Sequence, residues 1–276
     1  MSPDSPFAWE RDLGALRRSF ALAKPFPHVV IDGFADGDEL RAIGREEFGD
    51  VGTARWTYHR YYSQKTYSRT DVNGFGPAAR RLLAALAGER FRRVLESITG
   101  IEGLLFDDEL EDGGLQATAH SGYLNLHIDP LVHPRRRRWR RQLNLLVYAN
   151  EEWAPGYGGE LELWDETVSR CGARIAPRFN RAVLFAAGAH TPHGFPDVLA
   201  CPPGAARTCV AVYYFTEERE PLPPHFGRLY ARPGDGLGRI GVALDNALLH
   251  VYGRLGQTIG LDDRMVNRLL HPFRRH

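Results

Sequence analysis

Apolar positions along this chain change period near residue 103. Upstream they recur every three or four positions, as on a helix with one buried face. Residues 9–23 put Trp9, Leu13, Leu16 and Phe20 on one such face. Asp36 or Asp38 is placed to cap a second helix carrying Leu40, Ile43 and Phe48. Pro77 to Thr99 reads as one long helix rich in Ala, Leu, Glu and Arg, with Gly100 as its stop. KPFPHVVIDGF (24–34) reads as a strand entered through prolines and left through Gly33. WTYHRYYSQKTYSR (56–69) has no clear amphipathic period, and its aromatic residues suit core packing better than a substrate-facing loop.

Downstream, short β-type runs follow one another: LLFDD, LQATA, YLNLHID, QLNLLVYAN, GELELWD, ARIAP, RAVLFAA and RTCVAVYYF. Turn residues separate them, and none of the intervals holds a convincing long helix. Several short strands at regular spacing predict a mainly β sandwich or barrel rather than a parallel α/β sheet. After Phe215 a proline-rich connector (EPLPPH) leads to Leu237, Ile240, Leu244, Leu248, Val251 and Leu255 at helical spacing. A last short helix would hold Met265, Val266, Leu269 and Leu270. The expected organisation is a single domain: N-terminal elements over 1–102 packing on a β core over 103–216, then a connector and helices over 217–276.

Composition narrows the function little. The 276 residues are 43% hydrophobic and 25% charged, with a formal net charge of +1. A near-neutral balance gives no global reason to expect nucleic acid or acidic membranes. No apolar run approaches the roughly 20 residues of a membrane helix, and MSPDSPFAWERDLG does not have the form of a secretory signal. Three cysteines without a CxxC pair argue against a disulfide framework and favour a reducing, cytoplasmic home.

The chemistry-bearing residues sit in the β region. His127 and Asp129, two apart in YLNLHIDP, share a strand face. Taken alone, the pair fits a polar strand end facing water. A second histidine, His193, follows the strand RAVLFAA. Two histidines and one carboxylate with open positions form the facial triad of non-haem iron(II) oxygenases, although zinc accepts the same ligands. Arg207 opens RTCVAVYYF, where alternation puts it on one face with Cys209, Ala211 and Tyr213. An inward guanidinium among small residues needs an anion and can grip a carboxylate in bidentate fashion. A dicarboxylate bound to iron at one end and to Arg207 at the other satisfies both features. Tyr148 shares a face with Asn144 and Leu146 on QLNLLVYAN, and its hydroxyl can add a second hydrogen bond.

In this order, His127-x-Asp129, His193 and Arg207 resemble the iron(II)- and 2-oxoglutarate-dependent dioxygenases, in particular their prolyl 4-hydroxylase-like branch. RRQLNLLVYANEEWAPGYGGELELWD is similar to the strand, turn and GGEL-type strand that follow the HxD motif there. NRAVLFAAGAHTPHGFP is similar to the second-histidine segment, and RTCVAVYYF to the co-substrate arginine strand. The resemblance spans roughly 103–216, with a fainter likeness from KPFPHVVIDGF onward. It implies a double-stranded β-helix, a jelly roll of cupin type with flanking helices. It also implies His127, Asp129 and His193 as metal ligands, with His193 preferred to His190 because a His-Gly dipeptide follows the strand. Arg207, Tyr148 and Asn144 become the co-substrate residues.

The cofactors implied are Fe(II), 2-oxoglutarate and O2, and the set admits ascorbate. The implied reaction hydroxylates an unactivated C–H bond of a prolyl or other aminoacyl side chain, or of an amino-acid-derived small molecule, and releases succinate and CO2. Desaturation, cyclisation or epoxidation by the same cofactors stays open, as does a non-catalytic jelly-roll binding module. PRRRRWRR (134–141) sets six arginines around Trp139 after the first ligands. It reads as a solvated loop or as a lid meeting an anionic or carrier-bound, small-molecule or peptidyl substrate. One short run in a neutral chain is a poor nucleic-acid footprint. Neither nucleic acid nor membrane is expected as a partner, and the oligomeric state is not legible.

Overall fold

A computed structural model describes residues 7, 9, 12–225 and 227–247. Helix α1 (Leu13–Leu22) starts at Asp12, whose carboxylate accepts the Ala15 amide at 2.8 Å. Its Leu13, Leu16 and Phe20, together with Trp9 ahead of it, pack into the core. Strand β1 (His28–Asp32) follows, and Asp36 rather than Asp38 caps α2 (Gly37–Glu47), accepting the amides of Asp38 and Glu39. The stretch without a clear period forms a hairpin of β2 (Thr57–Arg60) and β3 (Gln64–Arg69), with Tyr58 stacked on Tyr67 at 4.6 Å. The expected single helix over Pro77 to Thr99 is two, α3 (Pro77–Ala87) and α4 (Glu89–Thr99). Gly88, extended at φ −60° and ψ 145°, ends one and starts the other. Glycine is the weakest non-proline helix former, and the bend lets both apolar faces reach the sheet. Gly100 stops α4 at φ 74°, a left-handed position that suits glycine.

Every run predicted as a strand contains one. Strands β4 (Leu105–Phe106), β5 (Gly114–Ala119), β6 (Tyr123–Ile128) and β7 (Trp139–Tyr148) come first. They are followed by β8 (Leu161–Trp164), β9 (Cys171–Ile175), β10 (Arg181–Ala186), β11 (His193–Phe195), β12 (Ala206–Glu217) and β13 (Arg228–Leu229). All pair antiparallel in one sheet of order β1-β10-β7-β12-β5-β3-β6-β11-β8-β9, with β2, β4 and β13 at its sides. The sheet curls on itself into the half-barrel of a jelly-roll core with flanking helices. Strand β3, from the N-terminal region, joins the two halves of the curl.

The central strands are apolar on both faces because each face is covered. Leu143, Leu145 and Val147 of β7 pack with Val210, Val212 and Tyr214 of β12 beneath the helices. The opposite faces, with Leu146, Tyr148, Cys209 and Ala211, close the inside of the curl with Leu161, Leu163, Val183 and Phe185. Each buried Leu, Val or Phe among them contributes about 1.5–3 kcal/mol by leaving water.

After β13, residues 238–247 are helical. Val242 is buried, whereas Leu237, Ile240 and Leu244 are exposed, so that stripe does not cover the sheet. Gly238 and Gly241 lie against the Tyr62 ring where a Cβ would collide, and Asp245 accepts the Ser63 amide at 2.7 Å. The rest of the expected stripe (Leu248, Val251, Leu255) and the last predicted helix lie outside the described residues. Among the described residues no helix is long and apolar enough to cross a membrane. The three cysteines are free.

Candidate metal centre

Strands β6 and β11 run antiparallel with His127 directly opposite His193, and the imidazole centroids are 4.5 Å apart. Asp129 lies just past the end of β6 on the His127 side. His127 Nδ1 is 2.9 Å from the Asn125 carbonyl, and His193 Nδ1 is 3.0 Å from that of Thr191. A carbonyl only accepts, so both Nδ1 atoms carry the proton and both Nε2 lone pairs are left free. Those Nε2 atoms face the Asp129 carboxylate, His127 at 3.7 Å from Oδ1 and His193 at 3.6 Å from Oδ2. One ligand atom from each residue lies within 4.8 Å of the others. Histidines fixed by backbone carbonyls through the other nitrogen are the usual form of metal-ligand imidazoles. A one-sided N, N, O set leaves the remaining positions of an octahedral ion open.

The local charges support the same state. Burial pulls the His193 pKa down to about 4 against the opposing pull of Asp129, so the ring is neutral near pH 7. Burial alone would raise the Asp129 carboxyl. The Arg141 guanidinium, and behind it the Asn144 amide, reverse that and hold it ionised, well below the ordinary carboxylate range. Asn144 Nδ2 donates to Asp129 Oδ2 at 2.6 Å. The partner Asn144 has here is thus the metal-site carboxylate.

On the inner face of β12, Arg207 is buried with its guanidinium 4.1 Å from the Phe195 ring centroid. Its Nε donates to the Gly159 carbonyl at 2.8 Å and its Nη2 to the Tyr148 hydroxyl at 2.9 Å. It forms no ion pair among the described residues. A buried charge without a counterion is costly, so this pocket suits an anion. Burial outweighs the nearby Arg207 charge and pushes the Tyr148 pKa up to about 12. The phenol therefore keeps its proton. It accepts from Arg207 and retains that proton to donate elsewhere.

Residues 113–215 match the family model of the 2OG-Fe(II) oxygenase superfamily. The chain has the fold of that superfamily. Among solved structures it is similar to a Pseudomonas putida prolyl-4-hydroxylase, with a TM-score of 0.51 and 20% identity over 75% of this chain and 100% of the other. It is also similar to a Trichoplax adhaerens prolyl hydroxylase solved with a hypoxia inducible factor oxygen degradation domain peptide. That match has a TM-score of 0.52 and 17% identity over 75% of this chain and 90% of the other. No curated protein matches the sequence.

Within this fold His190 and His133 lie away from the cluster. His190 is exposed and pairs with Glu166 at 2.7 Å. His133 is buried beside Trp139 and Phe215. Its Nδ1 accepts the amides of Arg135 and Arg136, which leaves Nε2 to carry the ring proton 3.3 Å from Asp107 Oδ2. Tyr123 turns its hydroxyl to the Tyr62 carbonyl at 3.1 Å.

The arginine run is a braced turn rather than a free lid. Arg135 pairs with Glu109 and Glu111, Arg136 with Asp107 and Glu109, Arg138 with Glu217, Arg140 with Glu218 and Arg141 with Asp129. Arg137 donates to the Leu222 carbonyl, and no carboxylate meets its charge among the described residues. Burial raises the Asp107 carboxyl, but His133 and then Arg136 bring it below its ordinary 3.8. A carboxyl depressed in the folded state stabilises fully above 3.8, and this is lost as pH falls through the lower folded value. Wild type should therefore lose more stability to chemical denaturant than Asp107→Asn on going from neutral pH to below pH 3.8. Equal losses would contradict it.

Two features of the site were not visible in sequence. Arg141 reaches Asp129 because a bulge at the β7–β12 register, between the Tyr214–Leu143 and Phe215–Arg141 pairs, shifts the alternation. Gly194, next to His193, lies where a Cβ would stand 2.8 Å from the carbonyl oxygens of Leu124 and Asn125. Gly194→Ala should push β11 off β6 and separate the two imidazoles. The expected cost is about 1–3 kcal/mol of stability, with a matching loss of metal affinity read by calorimetric Mn(II) titration.

Proposed function

We propose that this protein is an Fe(II)- and 2-oxoglutarate-dependent oxygenase that hydroxylates an unactivated C–H bond, with release of succinate and CO2. The observation that carries the reading is the pairing of two unsatisfied demands on one inner surface. His127, Asp129 and His193 converge as an open N, N, O set, and the buried Arg207 forms no ion pair among the described residues. In this reading His127 Nε2, His193 Nε2 and an Asp129 oxygen hold the metal. Arg207 and the Tyr148 hydroxyl hold the far carboxylate of 2-oxoglutarate, and Asn144 steadies Asp129. Bound iron and 2-oxoglutarate supply the oxidising power, which no amino-acid side chain provides. The chain's own part is to orient these groups and keep water out: Phe185 packs on His193 at 4.7 Å, and Phe195 covers Arg207. Free imidazole lone pairs beside a buried guanidinium without a counterion among the described residues favour catalysis over a jelly-roll module with no metal.

Similarity to prolyl hydroxylases supports a prolyl or other aminoacyl side chain, or an amino-acid-derived small molecule, as substrate. The test is a substrate library incubated with the protein, Fe(II), 2-oxoglutarate and O2, read by mass spectrometry. The reading expects a substrate gaining one oxygen with equimolar succinate. A loss of two hydrogens would replace hydroxylation by desaturation, and the absence of any 2-oxoglutarate consumption would defeat the reading.

A further inference from the structure

The two donors on the Asp129 carboxylate differ in kind. Asn144 Nδ2, neutral, sits on Oδ2 at 2.6 Å, a full-strength hydrogen bond. Arg141 Nη1, carrying a charge, sits 3.3 Å from Oδ1. The Arg141 side chain is only 2% exposed, and its guanidinium carbon lies 3.3 Å from the Tyr213 ring centroid. Its Nε is buried without a hydrogen-bond partner, so this cation is held for its charge rather than for a completed hydrogen-bond set.

We propose that Arg141 is the resident countercharge of Asp129: it holds the carboxylate in the metal-free chain and competes with the divalent ion for Oδ1, thereby setting how tightly metal is retained. The inference rests on the reading of His127, Asp129 and His193 as the metal ligands. A dication bound at Asp129 must sit within a few ångströms of the guanidinium, and like charges repel strongly where water is excluded. Without metal, a buried carboxylate deprived of Arg141 would lack a counterion, and an incoming ion would relieve that deficit. Both effects make a neutral residue at 141 tighten metal binding. Loss of carboxylate orientation works the other way, but the Asn144 hydrogen bond on Oδ2 remains to supply it.

The experiment is calorimetric Mn(II) titration of the metal-free full chain, without 2-oxoglutarate, alongside thermal melting. Arg141→Met and Arg141→Gln are expected to bind Mn(II) at least about tenfold more tightly than wild type and to melt lower when metal-free. Arg141→Lys, which keeps the charge, stays close to wild type. Asn144→Ala weakens binding by about 10–100-fold, as the loss of an orienting outer partner does. If either neutral variant folds and binds Mn(II) no more tightly than wild type, the inference is overturned. A merely structural Arg141 would lower the melting temperature and leave the Mn(II) affinity unchanged. Failure of the wild type itself to bind Mn(II) would instead overturn the metal-centre reading.

Discussion

His193→Ala is expected to abolish stable divalent-metal binding and all turnover that depends on it. In the proposed site the ring supplies one of three converging ligand atoms, already aimed by its Nδ1 hydrogen bond to Thr191 and already neutral at physiological pH. Removing an outer partner of a metal ligand costs about 10–100-fold in affinity, so removing a ligand itself should exceed the upper end of that range. The fold should survive, because His193 is held by β-pairing through its backbone and its buried ring adds little apolar burial. Metal content per chain after dialysis, with circular dichroism as the control for folding, checks this. Unchanged metal content in folded His193→Ala would remove this residue from the site.

Arg207→Ala is expected to act at the other end of the same surface. It removes a charge-assisted partner worth about 1.5–3 kcal/mol, or roughly 10–150-fold in the affinity for 2-oxoglutarate. It should leave Mn(II) affinity in the absence of 2-oxoglutarate unchanged, since no ligand atom of the metal is touched. Arg207→Lys should recover only part of the loss. A lysine carries the charge but cannot span the Gly159 carbonyl, the Tyr148 hydroxyl and a carboxylate with one planar fork. The KM for 2-oxoglutarate and the Mn(II) Kd, measured on the same preparations, separate the two effects. A fall in metal affinity with no change in the 2-oxoglutarate requirement would reverse the assignment of Arg207.

How much of this was legible in the sequence depended on whether neighbours in space were also neighbours in pattern. The strands of the core were readable because both faces are buried and their apolar runs end at turn residues. Residues 57–69 hid a hairpin because its strands carry mixed polar side chains, and β3 gains its order by pairing with β5 and β6. Gly88 broke a helix that the apolar period carried through, since period counts side chains while the break is a backbone event.

At the site, alternation put Tyr148 and Asn144 on one face of β7, and Arg207 and Tyr213 on one face of β12, as the structure has them. Alternation failed at Arg141, where the bulge exchanges inside and outside. The arginine run looked free because its acidic partners, Glu109 and Glu111 on one side and Glu217 and Glu218 on the other, lie far away along the chain.

The most direct test of the account is equilibrium binding of 2-oxoglutarate to the full chain without oxygen, with and without Mn(II). The account predicts one 2-oxoglutarate per chain, bound only when Mn(II) is present, lost in His193→Ala and weakened about 10–150-fold in Arg207→Ala. Mn(II)-loaded wild type that binds no 2-oxoglutarate, or that binds it equally well after Arg207→Ala, would contradict it.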